Sequence, residues 1–238
     1  MTWAVVPAAG SGSRFDAAVP KQYQSVAGRP VLEHCLWRLA AHPAIRGIVV
    51  ALGPHDAYFD AITLPSRLPV LRVAGGHQRA DSVLAALQAL PDSVVATDAV
   101  LVHDAARPCI DVALLDRLLC LATEPAGALV GMPCHDTLKR VDPDSPAPRS
   151  EATADRRAYW LAQTPQMFPR GTLTQALLDA RAQNIAVTDE AMAVELQGLR
   201  PRLVIGSPSN RKLTVAADFA PIEAWLLSHP IPSSEAGT

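Results

Sequence analysis

The sequence predicts an α/β fold: a doubly wound, mostly parallel sheet of the Rossmann-like type, with a protruding arm. The chain has 238 residues, of which 49% are hydrophobic and 18% charged, enough to bury the core of one sizeable domain. Short, nearly continuous apolar runs alternate along it with segments of helical spacing. Small and charged residues follow several of these runs. We therefore expect one domain over residues 1–227, followed by a flexible tail over 228–238 that is rich in proline and serine.

The elements come in the order that right-handed crossovers need. Apolar runs predict buried strands at residues 2–6, 47–52, 70–73, 99–103 and 126–132. Helical spacing predicts helices at 31–41, 80–90 and 111–122. In such sheets ligands bind outside the carboxyl ends of the strands, so the loops after these runs are the candidate site.

Residues 136–157 interrupt this alternation. The segment contains Pro143, Pro146 and Pro148 among many charges and has few large apolar side chains. Its composition alone fits a solvated loop, but a loop of this length inside a compact domain is uncommon and is often functional. We predict that this segment projects as an arm.

Charge and cysteine content restrict the partners. The formal net charge is −2 and the pI is near 6.4, so no basic field favours nucleic acid. No apolar stretch is long enough to span a membrane, and no signal peptide precedes the first strand. The four cysteines form no C-x-x-C pair, which fits free thiols in a reducing compartment. We expect a cytoplasmic protein that binds neither nucleic acid nor membrane.

The loop after the first strand is suited to phosphate. Residues 7–14 read Pro-Ala-Ala-Gly-Ser-Gly-Ser-Arg, and Pro-Lys-Gln follows at 20–22. Small residues allow close backbone approach, and consecutive N–H groups can form an anion-binding nest beside the two cations. The P-loop pattern is absent, and Phe15 stands where a dinucleotide fingerprint needs its third glycine. A plain strand-to-helix turn is the alternative; the cations favour nucleotide binding.

Further motifs follow at other predicted strand ends and beyond. They are Gly-Gly at 75–76, Arg-Ala-Asp-Ser at 79–82, His-Asp-Ala-Ala-Arg-Pro at 103–108, Thr-Pro-Gln at 164–166, Thr-Asp-Glu at 188–190 and Asn-Arg-Lys-Leu-Thr at 210–214. With the first loop, in this order and at this spacing, the chain resembles the 2-C-methyl-D-erythritol 4-phosphate cytidylyltransferase family of isoprenoid biosynthesis. The resemblance runs from residue 4 to about 218, nearly the whole chain, and implies the nucleotidyltransferase form of the Rossmann-like fold.

The resemblance implies transfer of a cytidylyl group from CTP to a sugar-alcohol phosphate, with release of pyrophosphate. It implies Mg²⁺, held mainly by the CTP phosphates with no metal ligand from the protein, and a homodimer whose arms exchange contacts. The implied catalytic residues are Arg14, Lys21, Arg156 and Lys212. Residues implied to bind cytosine and ribose are Ala8, Ala9, Gly10, Gly76 and Ser82, and those at the nucleotide–acceptor junction and the acceptor are Asp104, Arg107, Thr137 and Thr188.

The reaction itself needs no general base, because the attacking phosphate oxygen is already an anion. Positioning and cationic stabilisation of the developing charge are what the protein must supply. We therefore predict that His103 is a buried structural histidine. Asp104 and Arg107, three apart, fit a local ion pair as well as a ligand role, and Lys21 and Lys212 have the alternative of being solvated surface lysines.

The sequence departs from the family pattern at a few positions. His77-Gln78 follow the double glycine, where acidic residues are common, which affects fine nucleotide recognition. Ser13 precedes Arg14 where a second basic residue is frequent, and Arg211 precedes Lys212 in place of an apolar residue. Two alternatives stay open: a sister enzyme that uses ribitol 5-phosphate, and a nucleotide-binding module without turnover. The module would be expected to lack one of the four cations.

Overall fold

The protein is described by a computed structural model over residues 1–10 and 19–231. The strands are β1 (Thr2–Ala8), β2 (Ser25–Val26), β3 (Arg29–Pro30), β4 (Ile45–Leu52), β5 (Val70–Ala74), β6 (Ala99–Val102), β7 (Ala128–Pro133), β8 (Leu138–Arg140), β9 (Ala152–Ala154), β10 (Trp160–Pro169) and β11 (Arg202–Ile205). The helices are α1 (Val31–Ala41), α2 (Arg79–Gln88), α3 (Val112–Leu119), α4 (Arg170–Ala182), α5 (Glu190–Leu196) and α6 (Phe219–Ser228).

Seven strands form one central sheet in the order β11-β7-β10-β6-β1-β4-β5. Strand β1 pairs in parallel with β4 and β6, β4 pairs in parallel with β5, and β11 pairs in parallel with β7. Of these seven, β10 runs the other way, between β6 and β7. The predicted α/β fold with a mostly parallel sheet is confirmed, and the five predicted strands correspond to β1, β4, β5, β6 and β7 within two residues at each end.

Helices cover both faces of this sheet, as β1 illustrates. Ala4 and Val6 point into a core that also contains side chains of α1 and α3. Trp3 and Val5 point into a second core, shared with α2, α4 and α5. All four are buried. A strand buried on both faces has no polar side to show, which is why these runs are continuously apolar in the sequence.

The helix boundaries follow local capping. Asp111 precedes α3, and its carboxylate accepts a hydrogen bond from the Leu114 N–H at 2.7 Å. Asp189 caps α5 in the same way, through the Met192 N–H at 3.0 Å. The predicted helix 111–122 is therefore too long at both ends, because Asp111 is the cap and α3 ends at Leu119.

The arm segment is not a structureless loop. Strands β8 and β9 pair antiparallel, with Leu138 opposite Ala154 and Arg140 opposite Ala152, in a two-stranded sheet separate from the central one. Most side chains of residues 136–157 are exposed. A two-stranded ribbon buries little apolar surface on its own, so this hairpin gains little stability without a further contact.

The end of the described chain packs on α1. Arg38 lies over the Trp225 ring at 4.5 Å, and Trp225 stacks on His229 with ring centroids 4.3 Å apart. Of the predicted flexible tail, Ser228 is the last residue of α6, and residues 232–238 lie outside the described residues. None of the helices in the described ranges has the length and apolarity that crossing a membrane would need.

Candidate active site

A cavity of about 160 Å³ opens at the carboxyl ends of β1, β5 and β6. It contains most of the residues predicted to meet the nucleotide, together with the side chains of Lys21 and Lys212. Its lining consists of Pro7, Ala8, Ala9, Gly10, Lys21, Gln22, Gly76, His77, Gln78, Arg79, Ser82, Asp104, Ala105, Ala106 and Lys212. The fold therefore brings together four loops at the edge of the sheet where a parallel α/β sheet binds its ligands.

One wall of the cavity is the backbone that follows β1. Gln22 is buried, and its side-chain amide donates hydrogen bonds to the carbonyl oxygens of Ala8 at 2.9 Å and Gly10 at 3.1 Å. A single buried glutamine thus ties the start of the loop to the turn that carries Lys21. These contacts fix the backbone before any ligand arrives.

The facing wall is the double glycine after β5. A Cβ on Gly75 would come within 2.5 Å of the Ala9 Cβ, so only glycine allows the two walls to lie this close. The Gly76 N–H donates to Ser82 Oγ at 3.1 Å, and the Gln78 N–H donates to the Asp81 carboxylate at 3.2 Å. The loop is thereby fastened to the first turn of α2.

Asp104 is the centre of a charged network on the floor of the cavity. Its Oδ1 accepts a hydrogen bond from Arg79 Nε at 3.1 Å. Its Oδ2 accepts from Lys212 Nζ at 2.8 Å and lies 3.4 Å from Arg107 Nε. The predicted local pair of Asp104 and Arg107 exists, but it is one part of a larger arrangement that includes two more cations.

Arg79 extends the network away from the cavity. Its two terminal nitrogens donate to both carboxylate oxygens of Glu190, at 2.5 and 3.0 Å. Burial alone would lower the pKa of Arg79, but the charges of Glu190 and Asp104 outweigh burial and raise it. Burial alone would raise the pKa of Asp104, but Arg79 and Lys212 hold it well below its ordinary value. Both groups are therefore charged at neutral pH.

His103 lies beneath this network and is fully buried. Its Nε2–H donates to the Arg107 carbonyl at 2.8 Å, which leaves Nδ1 to accept from the Thr164 hydroxyl at 3.2 Å. Thr164 Oγ1 in turn accepts from the Asp104 N–H at 3.0 Å. Burial lowers the pKa of His103 to about 4. His103 is a neutral structural group, as predicted.

A second cavity, of about 190 Å³, adjoins the first. The two share Arg79, Asp104 and Lys212, and the second adds Arg107 and Thr188. Its other lining residues are Ala162, Gln163, Thr164, Gln166 and Asp189. The charged network thus forms the wall between two spaces, with Lys212 facing both.

Two of the predicted site residues that the structure describes are in neither cavity. Thr137 and Arg156 lie at the two ends of the β8–β9 hairpin, are exposed, and line neither of the two cavities formed by the described residues. Arg156 donates a hydrogen bond to the His135 carbonyl. Arg14 lies outside the described residues.

The structure adds three functional residues that the sequence does not identify. Arg79 and Glu190 lie inside the motifs at 79–82 and 188–190, but their contact joins positions 111 apart in the chain. Gln22 follows Lys21 directly, and nothing in the sequence shows that its amide faces the loop after β1. One sequence signal could have identified Arg79 as a site residue: it closely follows the double glycine at the end of a predicted strand.

No group of three or more His, Cys, Asp or Glu side chains that could hold a metal ion is present within residues 1–10 and 19–231. Among the described residues, Asp104 is the one carboxylate in the lining of the first cavity, and both its oxygens are occupied by cations.

Comparison with known proteins gives a consistent result. The family model described as 2-C-methyl-D-erythritol 4-phosphate cytidylyltransferase matches residues 2–228. A protein of that name from Xanthomonas campestris pv. campestris (strain 8004) is 51% identical over 222 residues, covering 93% of this chain and 83% of the relative.

Solved structures under the same name superpose well. That of Francisella tularensis has a TM-score of 0.80 at 29% identity and covers 94% of this chain and 99% of its own. That of Thermus thermophilus has a TM-score of 0.73 at 31% identity and covers 93% and 96%. The ribitol phosphate enzyme and the module without turnover are not favoured. The chain belongs to the 2-C-methyl-D-erythritol 4-phosphate cytidylyltransferase family and is a nucleotidyltransferase.

Proposed function

We propose that the first cavity binds CTP and the second binds 2-C-methyl-D-erythritol 4-phosphate, so that the two phosphates meet at Lys212. The observation that carries this assignment is the shared wall: Lys212 and Asp104 line both cavities. A phosphate oxygen of the acceptor attacks the α-phosphorus of CTP. A new P–O bond forms, the bond to the β-phosphate breaks, and pyrophosphate leaves with the electron pair.

The nucleotide is held mainly by backbone. The walls at Ala8–Gly10 and Gly75–Gly76 are close together and fixed by Gln22 and Ser82, which leaves a narrow space suited to a pyrimidine ring. Fixed amide groups read the edge of the base without having to reorganise. CTP is therefore the preferred nucleotide.

The transfer step depends on positive charge. Asp104 and Glu190 are balanced by Arg79, Arg107 and Lys212, so these side chains together leave one excess positive charge. Lys21 also lines the first cavity, and Arg14 is assigned beside it from the loop sequence. Preorganised cations of this kind stabilise charge as it develops on the α-phosphate and on the leaving group.

Mg²⁺ enters with CTP in this proposal. The described residues offer no carboxylate cluster, and the Asp104 oxygens are engaged by cations, which suits an ion held chiefly by phosphate oxygens. The ion would neutralise part of the triphosphate charge. The protein's own task is to place the α-phosphorus beside Lys21 and Lys212.

The arm supports a homodimer. Thr137 and Arg156 are exposed and lie apart from the cavities, while the acceptor phosphate needs a cation on the side facing away from CTP. Exposed apolar side chains on and beside the hairpin, Val141, Tyr159 and Leu161, offer surface for a second copy. In a two-fold dimer each arm would bring Thr137 and Arg156 to the partner's acceptor cavity.

The remaining properties follow from composition. The net charge of −2 gives no support to nucleic acid binding. The four cysteines are free thiols, three of them buried, which fits a cytoplasmic location.

The test is a pyrophosphate-release assay with paired substrates. CTP with methylerythritol phosphate should give rapid release, whereas ribitol 5-phosphate, ATP or GTP in place of either substrate should give little. Equal turnover with ATP or GTP would contradict the nucleotide assignment. Equal turnover with ribitol 5-phosphate would contradict the acceptor assignment alone.

A further inference from the structure

Glu190 is a charged group that lines neither cavity. It is 1% exposed, stands at the start of α5, and binds both terminal nitrogens of Arg79. A buried carboxylate is costly unless it is fully paired, and the partner of this one is a residue of the active site. Its position behind Arg79 suggests a role in the geometry of the network.

The start of α5 is also held by contacts that do not involve the Glu190 side chain. Asp189 caps the helix and also accepts a hydrogen bond from the Gln166 amide at 2.8 Å. The Ala191 N–H donates to Gln166 Oε1 at 2.8 Å. These contacts fasten the start of α5 to β10 on both sides of Glu190, so the ion pair with Arg79 is not the sole attachment of this part of the helix.

The hydrogen bonds of the Arg79 guanidinium to Glu190 and Asp104 indicate what the Glu190 carboxylate does. Both terminal nitrogens donate to Glu190. Nε donates to Asp104 Oδ1, and the terminal Nη2 also lies 3.1 Å from that same oxygen, so Arg79 meets Asp104 through Oδ1. The other oxygen, Oδ2, accepts from Lys212 at 2.8 Å and lies 3.4 Å from Arg107 Nε. Without the charge of Glu190, Arg79 would be able to turn its planar fork to Asp104 and bind both oxygens, because an arginine–carboxylate pair favours two parallel hydrogen bonds.

We propose that Glu190 is a positioning residue for the nucleotidyl transfer: it engages Arg79 so that Asp104 keeps one oxygen for Lys212. Lys212 is thereby held between the two cavities in the place where the phosphates meet. This inference rests on the proposed role of Lys212. It makes Glu190 act through two intervening side chains, without contact to either substrate.

The experiment compares Glu190→Gln with Glu190→Asp. Glutamine keeps the shape and loses the charge; aspartate keeps the charge but is shorter and packs less well. If charge positions Lys212, Glu190→Gln should lower kcat by up to about 10²-fold, the loss that a displacement of about 1 Å can cause. The KM for CTP should change little, and Glu190→Asp should retain clearly more kcat than Glu190→Gln. A packing role would give the opposite order and would overturn the proposal.

Glu33 supplies the matched control. It is also buried, pairs with Arg29 at 3.1 Å and accepts from the Thr63 N–H, but it lines neither cavity. Glu33→Gln should leave kcat unchanged. If Glu190→Gln does not fold, Arg79→Lys replaces it, since a lysine cannot bind Glu190 and Asp104 with three nitrogens. An unchanged kcat in Arg79→Lys would also overturn the proposal.

A double substitution separates this inference from the proposed function. In a Lys212→Ala background, Glu190→Gln should add little to the loss of kcat, because both changes act through the same group. Full additivity would mean that Glu190 acts elsewhere. If Lys212→Ala by itself keeps normal kcat, the proposed role of Lys212 fails first, and the positioning role of Glu190 fails with it.

Discussion

The walls of the proposed nucleotide cavity and the charged network beside them are built from different chemical groups. Backbone and small residues form the walls, held by Gln22 and Ser82. Charged side chains form the network that this cavity shares with the proposed acceptor cavity, with Arg79, Arg107 and Lys212 gathered around Asp104. The backbone walls are defined by their shape, and the network is defined by its charge.

This difference separates the effects that substitutions should have. A backbone wall recognises a ground state, so damage to it should appear mainly in the KM for CTP. Cations aimed at developing charge act in the transition state, so their loss should appear mainly in kcat. The predictions below test whether the walls and the network behave in this way.

Lys21 should show the largest effect. It lines the proposed nucleotide cavity, but as a cation it should act on developing charge, like the charged network and unlike the backbone walls. Lys21→Ala should lower kcat by about 10²–10³-fold, the usual result of removing one preorganised donor, and should change the KM for the acceptor little. Steady-state pyrophosphate release measures both quantities.

Arg72→Ala is the control for loss of a positive charge. Arg72 lies on β5, is half exposed, pairs with Asp60 and lines neither cavity. It should keep the normal kcat. A Lys21→Ala protein with near-normal kcat would mean that the triphosphate does not lie against Lys21.

Sequence was sufficient for the parts of this molecule that depend on local pattern. The strands of the parallel sheet are legible because burial on both faces makes them apolar throughout, as in β1. Small residues and glycines after β1 and β5 mark the nucleotide walls, because only they permit the approach seen between Ala9 and Gly75. The family motifs then assigned candidate roles to residues at the carboxyl ends of these strands.

Pairing between strands or side chains that are distant in the chain could not be predicted from the sequence in the same way. Strand β10 runs antiparallel in the middle of the sheet, and its neighbours are set by contacts with β6 and β7 rather than by its own pattern. The Arg79–Glu190 pair likewise joins two motifs that are distant in the chain. Hydrophobic periodicity records which face of an element is buried, and it does not record what that face meets.

The arm provides the second prediction, which concerns where Arg156 acts. Arg156→Ala protein is mixed with Lys21→Ala protein under conditions in which subunits exchange. If Arg156 serves the partner's site, one site of a mixed dimer carries both lesions and the other carries neither. Each mixed dimer should then regain about half of the wild-type activity. Random exchange makes about half of the dimers mixed, so an equal mixture should show about a quarter of the wild-type rate.

Exchange itself is checked with two distinguishable tags, and each variant mixed only with itself serves as the control. If tagged subunits exchange and activity stays at the level of the separate variants, Arg156 acts within its own chain. The acceptor cavity would then have to be completed by a movement of the hairpin on the same chain. If no dimer forms, the arm has another purpose.

The smallest effect is expected at Gly76, and it tests the shape of the walls directly. A Cβ there would lie 2.2 Å from the Asp81 Cβ, so the first turn of α2 would have to shift and carry Ser82 with it. Relief of this clash moves the wall away from the position in which it would meet CTP. A loss of about 1.4 kcal/mol of binding free energy corresponds to about tenfold in affinity. Gly76→Ala should therefore raise the KM for CTP about tenfold, with kcat and the KM for the acceptor little changed.

Gly53→Ala is the matched control, because a Cβ at Gly53 meets only the Ala9 carbonyl oxygen, at an ordinary 3.5 Å. If Gly76→Ala lowers kcat and leaves the KM for CTP unchanged, the double-glycine wall takes part in the transfer step, and the separation between shape and charge does not hold.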